Sequence, residues 1–325
     1  MRYLLPLILV LVGNGCQSTP HSTEPSPFQS AAHKLLDEHA DEGPAWHPDR
    51  GLLFSGDGDI NRLTQDGRAA TFRPEAGSNG LLFDSKGRLV VCERVRRRIT
   101  RQELDGSLTI LTDEFEGQPY NQPNDVTIDS RGRLYFSDPR YGSRDDMRLL
   151  DEQGKPIEGV YRIDPDGRVS RIITHEVDRP NGLLVTPDDR FLYVADNNNQ
   201  AGGPRKLWRF DLDAAGTINQ ATQTLIYDWE TGRGPDGMAL DETGRLYVAG
   251  GRNEPRLPDE TAAPFLGGIY VFSPQGKLEE FVHIPHDEVT NCTFGGKDLR
   301  DLYITAGGTL WTIRTANRGV TPWSH

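Results

Sequence analysis

A hairpin template recurring along the chain constrains its fold more than any other feature. The clearest copies are NGLLFDSKGRLVVCE from Asn79, NDVTIDSRGRLYFSD from Asn124, NGLLVTPDDRFLYVAD from Asn181 and DGMALDETGRLYVAG from Asp236. Each reads polar residue, short apolar strand, tight turn, second apolar strand, the signature of a two-stranded antiparallel hairpin. EGPAWHPDRGLLFSG from Glu42 and NCTFGGKDLRDLYITA from Asn291 are weaker copies. The starts are 37, 45, 57, 55 and 55 residues apart, so the content repeats while the loops between copies vary. A third strand follows most copies, as in RRITRQEL, GVYRIDP, KLWRFDL, GIYVFSP and TLWTIRT, often with a fourth such as RIITHE or TLIYDW. No stretch longer than a turn or two has helical periodicity. Four short strands repeated six times predict an all-β chain, a six-bladed β-propeller. The last copy has only three strands in sequence, so the segment around residues 32 to 40 is expected to supply its missing edge.

Composition agrees and narrows the function. The 35 glycines in 325 residues supply the turns such a fold needs. Lys and Arg number 36 against 48 Asp and Glu, and the formal charge of −12 sets the surface against nucleic acid. Three cysteines, Cys16, Cys92 and Cys292, with no CxxC pair exclude a disulfide scaffold or a zinc ribbon. Cys92 and Cys292 read as small buried apolar residues. Arg2, the apolar run Leu4 to Val12 and Gly13-Asn14-Gly15-Cys16 have the build of an export signal over residues 1–15. That run is too short to span a bilayer. Small residues before Cys16 give it the setting of a bacterial lipid-anchor site, although Gly13 stands where Leu is usual; the other reading is a cleaved, secreted chain. Export to the periplasm or outer surface follows from either. Residues 16–31, rich in Ser, Thr and Pro, read as a flexible tether, and 32–325 as the propeller, a monomer or small homo-oligomer. The basic run Arg94-Val95-Arg96-Arg97-Arg98 reads as a solvated strand edge guarded by charge.

The repeat gathers chemistry in one place. First strands line a propeller's central channel, so Glu42, Asn79, Asn124, Asn181, Asp236 and Asn291 form a ring at one mouth, and every one carries a side-chain oxygen. Blades about 60° apart set Glu42 opposite Asn181, with Asn124 and Asp236 on either side. Oxygen donors with two carboxylates suit Ca²⁺, whereas zinc and copper favour nitrogen or sulfur. Glu42 and Asp236 therefore read as ligands of a central metal site, because a carboxylate enclosed there is costly unless paired or coordinated. Asn79 and Asn291 read as strand-entry residues. The second strand returns to the same mouth, bringing Glu93, Asp138 and Asp196 near the ring as supporting groups. His286 is a candidate proton carrier, weighed against an ordinary exposed loop histidine. The connections Tyr141 to Ile157 and Arg252 to Phe265 are expected to overhang the mouth and set substrate size.

From about Asp41 onward these segments together resemble the SMP-30/gluconolactonase/luciferin-regenerating-enzyme-like family of six-bladed, calcium-dependent lactonases. The carriers are EGPAW at Glu42, QPNDVTID…GRLYFSDPRYG, RPNGLLVTPDDRFLYVAD, GPDGMALDETGRLYVAG and TNCTFGG…DLYITAGGTLW. The resemblance implies that Glu42, Asn181 and Asp236 hold the metal and that Asn124 stands beside metal and substrate. Asp236 and Asn124 are the candidate catalytic residues, Asn124 is also a candidate metal ligand, and Asn124, Gln122 and Asp138 are candidate substrate contacts. Gln122 occupies the position where animal members carry a sugar-contacting Arg. The expected activity is Ca²⁺-dependent opening of a lactone, such as gluconolactone, to the hydroxy acid, with other divalent cations as alternatives. Asp236 is the expected base; a water positioned by Asp236 or Asp138 is an equal alternative. The rival readings are a phosphotriester hydrolase similar to diisopropyl-fluorophosphatase and a non-catalytic, calcium-stabilised binding propeller.

Overall fold

The computed structural model describes residues 26–322. Its described part contains no helix, and six four-stranded antiparallel sheets follow one another around a central channel. Blade one comprises Glu42–His47, Gly51–Gly56, Asp59–Leu63 and Ala69–Arg73. Blades two to five open with Leu81–Phe83, Val126–Ile128, Pro180–Val185 and Met238–Leu240, the innermost strand of each. Blade six takes three strands from the C-terminal part, Val289–Gly295, Asp301–Ala306 and Gly308–Arg314. Its fourth is His33–Ala40, which pairs antiparallel with Gly308–Arg314, His33 opposite Thr312. The expected sixth edge is thus supplied by the other end of the chain, and the ring is closed by backbone hydrogen bonds.

The hairpin turns explain why the template repeats so faithfully. In Asp84-Ser-Lys-Gly-Arg88 the Asp84 carboxylate accepts from the Lys86 and Arg88 backbone N–H groups (2.9 and 3.0 Å), and Arg88 returns its Nε to it at 2.7 Å. Gly87 turns the chain at φ +74°, a conformation that glycine reaches without a Cβ penalty. Asp129 with Gly132 and Arg133 repeats the whole device, and Asp241 with Gly244 and Arg245 repeats its backbone part, Arg245 Nε turning to Glu279 at 2.8 Å. Between blades the sheets bury apolar faces on one another. Tyr227, Trp229, Tyr270 and Phe272 pack between blades four and five with ring centroids 4.7 to 6.2 Å apart. Each such side chain contributes about 1.5–3 kcal/mol by leaving water.

One boundary differs from the sequence expectation. Residues 26–31, read as the end of a tether, lie against blade six. Gln29 N donates to Arg314 O and Ala316 N to Pro27 O, both at 2.8 Å, while Phe28 is half-buried edge-on to Tyr247 with centroids 5.8 Å apart. An aromatic side chain that can bury itself beats the local Ser/Pro propensity for extended chain. The signal segment and Cys16 lie outside the described residues.

Candidate active site at the channel mouth

The ring residues fall where the repeat puts them. Glu42 opens its strand, Asn181 is the second residue of Pro180–Val185, and Asn79, Asn124 and Asp236 stand two residues ahead of theirs. Three are anchored through the backbone to their own second strand, Asn79 N to Cys92 O, Asn124 N to Ser137 O and Asp236 N to Ala249 O, at 2.8 to 2.9 Å. The next residue is glycine in four blades, and the reason is close approach. A Cβ on Gly43 would overlap the Asn79 carbonyl, one on Gly80 the Asn124 carbonyl, one on Gly182 the Asp236 carbonyl, and one on Gly237 the Asn291 amide. Each glycine therefore lets the next blade's ring residue close in. Blade three has Asp125 instead, and its carboxylate accepts from Leu183 N at 3.1 Å in the neighbouring blade.

Above the ring lies a cavity of about 600 Å³ with Glu42, Asn79, Asn124, Asn181 and Asp236 among its lining. Both long connections reach it, through Tyr141 and Gly142 on one side and Arg252, Arg256, Leu257 and Glu260 on the other, as expected. Asn181 Nδ2 donates to the Tyr141 hydroxyl at 2.7 Å, which turns the amide oxygen the other way. Glu42 Oε2 accepts from Gly43 N at 3.0 Å and from Asn291 Nδ2 at 3.3 Å. Asp236 Oδ2 is paired with the Arg233 guanidinium, which also donates to Val289 O at 2.9 Å. Asp236 Oδ1 is buried with no hydrogen-bond partner, and so is Asn79 Oδ1.

These contacts leave the mouth short of positive charge at its floor. Burial first, and the nearby Asp236 charge second, hold the Glu42 carboxyl well above the usual range. Burial likewise pushes Asp236 up to about 6, although Arg233 opposes the shift. Two carboxylates whose ionised forms burial disfavours, plus orphaned oxygens, are what a hard cation's ligand set looks like without the cation. Among the described residues no group of three or more His, Cys, Asp or Glu side chains gathers at metal-binding spacing. The fit to a cation therefore rests on two carboxylates supplemented by amide oxygens.

The other expected residues separate by what they touch. Asp138 is fully buried and does not reach the cavity; its two oxygens accept from Asn121 N and Gln122 N at 2.8 Å. The substrate role expected for it gives way to holding the loop that presents Asn124, because both oxygens are spent on backbone donors. Asp196 does the same for the Asn181 loop, accepting from Arg179 N at 3.0 Å and Asp178 N at 3.3 Å. Gln122 also lies outside the lining, its Oε1 accepting from Tyr141 N at 3.0 Å, so it braces the Tyr141 connection. Glu93 is fully buried among Arg73, Arg98 and Thr100, a packing role within blades one and two. His286 is exposed, points its ring at the Gly307 carbonyl 3.2 Å away and does not line the cavity. Sequence reasoning missed Arg233 and Arg179, which stand three and two residues before Asp236 and Asn181. Comparing the residues just ahead of each ring position would have found them. Arg179 lies over the Tyr141 ring at 5.3 Å and pairs with Glu158 at 3.1 Å.

Fold and site together define a six-bladed propeller with an oxygen-lined small-molecule cavity at one mouth. Residues 40–308 match the family profile of the SMP-30/gluconolactonase/LRE-like region, and the chain belongs to that family. It is 30% identical over 305 residues to a gluconolactonase of Zymomonas mobilis, covering 86% of this chain and 79% of that one. A 6-deoxy-6-sulfogluconolactonase of Pseudomonas putida is 28% identical over 82% of both chains. Among solved structures, a gluconolactonase from Xanthomonas campestris superposes with a TM-score of 0.71 at 29% identity, covering 87% of this chain and 89% of that one.

Proposed function

We propose that this chain is a lactonase that opens a sugar lactone such as gluconolactone to its hydroxy acid, with a divalent cation, Ca²⁺ foremost, held by Glu42, Asn181 and Asp236 and with Asn124 beside it. The observation carrying this reading is the Asp236 carboxylate, whose Oδ1 is buried without a partner in the same cavity floor as Glu42. The lactonases among its relatives support the reaction class. A bound cation would supply Lewis-acid polarisation of the lactone carbonyl. The chain's own residues do the rest. The Asn124 amide, fixed by the backbone bond to Ser137, orients the ring ester. Arg233 holds one Asp236 oxygen, so Oδ1 is the atom left to hold the cation or, with the cation on Glu42 and Asn181, to take the proton of the attacking water. That proton then passes to the ring oxygen as the C–O bond breaks, giving a carboxylic acid and a hydroxyl on one product. Protein dialysed against a chelator should stop opening gluconolactone and recover on addition of Ca²⁺. Equal turnover before and after chelation would remove the cation from the proposal. We also propose export, from residues 1–16, which cell fractionation of the full-length chain with and without Cys16→Ser would test.

A further inference from the structure

The basic run after blade two's second strand is built differently from a guarded strand edge. Arg94 to Arg97 form the turn that follows Leu89–Glu93, and only Arg98 begins the next strand. Three of its four arginines are held by carboxylates: Arg96 by Glu93 at 3.6 Å, Arg97 by Asp146 at 3.1 Å and Arg98 by Glu93 at 2.6 Å. Arg94 is exposed, has no ion pair or hydrogen bond among the described residues, and is the one member of the run that lines the cavity over the ring.

Blade five, across the channel from blade two, presents two more guanidinium groups to the same cavity. Arg252 and Arg256 share the Glu288 carboxylate, and Arg252 also pairs with Glu260 at 3.1 Å. The Arg252 side chain is only 6% exposed, yet its Nε has no partner. On a chain of net charge −12 the cavity lining sets five arginines, Arg94, Arg179, Arg233, Arg252 and Arg256, against the four carboxylates Glu42, Asp236, Glu260 and Glu288, so the sign reverses locally, and Arg94 is the one of the five with no carboxylate partner among the described residues. Such a reversal draws an anion towards the cavity. Guanidinium groups match carboxylate, sulfonate and phosphate oxygens with paired N–H donors.

We infer that the cavity selects lactones carrying a second, permanently ionised oxyanion group remote from the ring ester, and that Arg94 is the specificity-determining residue that contacts it. This rests on the lactonase reading for its reaction but not for its binding. Two measurements on the full chain in calcium-containing buffer keep the two apart. In the first, turnover of neutral gluconolactone is compared with that of its 6-phospho and 6-sulfo derivatives. The charged lactones should show a higher kcat/KM that declines with added salt. Arg94→Gln should raise their KM at least about tenfold, the worth of one charge-assisted hydrogen bond, and leave neutral gluconolactone unchanged. Arg96→Gln, which removes the same charge from the same turn outside the cavity, should change neither. In the second, calorimetry compares gluconate with 6-phosphogluconate. The phosphorylated acid should bind more tightly, and Arg94→Gln should erase the difference. Equal losses in Arg94→Gln and Arg96→Gln, or equal binding of the two acids, would overturn the role of Arg94 while leaving lactone opening intact. Failure to open any lactone, with the calorimetric difference present, would sink the reaction and keep the anion site.

Discussion

The two ends of the central channel are made by the same six strands but differ in what their ring positions present. At the mouth, Glu42, Asn124, Asn181 and Asp236 surround a polar cavity with unsatisfied oxygens. Towards the other end a second cavity of about 570 Å³ is lined by Leu81, Val126, Leu183, Met238 and Phe294, with Asp125, Thr127 and Asn291 among its polar members. Asn79 and Leu81, Asn124 and Val126, Asn181 and Leu183, Asp236 and Met238 are each two residues apart, so strand alternation aims both members at the channel. The residue between them, glycine in three of these four blades, faces the next blade instead. The change from an oxygen-bearing to an apolar side chain therefore takes a single step of two residues in each of these four blades. Where an ionisable group sits on that step it finds a backbone donor, as Asp125 does in the Leu183 N–H, which opposes but does not cancel the effect of burial.

The sharpest way to break this contrast is to remove a carboxylate from the mouth. Glu42→Gln or Asp236→Asn should cut lactone turnover at least about a hundredfold, since even groups behind a metal ligand are worth ten- to a hundredfold. In the wild type, calcium at a hundred times its dissociation constant should add about 2.7 kcal/mol to stability, and both variants should lose most of that gain. Full activity with calcium retained in Asp236→Asn would take Asp236 out of the chemistry. The opposite result is expected at the far end. Met238→Ala, two residues on, should cost about 2 kcal/mol in denaturant unfolding, the low end for a buried methionine because its side chain already borders a cavity, with calcium affinity and kcat unchanged. If turnover fell with it, the two ends would not be separable.

The propeller was legible because its information is local and repeated. Asp84 with Gly87 and Arg88 states one turn, and the same residues state it again from Asp129 and Asp241. The ring followed from that register, since a residue at a fixed place in each copy must occupy a fixed place around the axis. What the sequence hid were residues whose partners come from outside the repeat. Arg233 reaches Asp236 from a loop, and the partner of Tyr141 is an amide forty residues away. Proximity also misled. Asp138 and Asp196 do return to the mouth, but they turn to backbone N–H groups behind the ring, a choice that only the loop path decides. Phe28 was hidden for the same reason, its pocket beside Tyr247 being assembled by blades five and six.

The ring glycines give a smaller test that touches packing and chemistry together. Gly182→Ala would press a Cβ onto the Asp236 carbonyl, a backbone atom with no freedom to step aside. Overpacking of this kind costs about 1–3 kcal/mol. Because the displaced atom belongs to Asp236, calcium affinity should fall as well, which separates it from Met238→Ala. Retained calcium affinity with lost stability would mean that the ring does not depend on the close approach of blades four and five.

The smallest effect expected is a pH dependence confined to the mouth. In chelator, burial holds Glu42 well above the usual carboxylate range and raises Asp236 to about 6. The folded state then keeps protons that the unfolded chain releases. The stability that Asp236 contributes in this way is present in full below its unfolded value and is lost as pH rises through about 6, and Glu42, raised in the same direction, adds a loss of the same sign. A cation in the ring favours the ionised forms and pulls both folded values down, so thermal unfolding followed in calcium should lose less stability over the same rise in pH. Asp236→Asn should flatten the chelated curve around pH 6 and leave in place a later fall from Asp125, which burial raises to about 7. Identical curves with and without calcium would mean that the carboxylates at the mouth never share a cation, and the distinction between the channel's two ends would reduce to polarity alone.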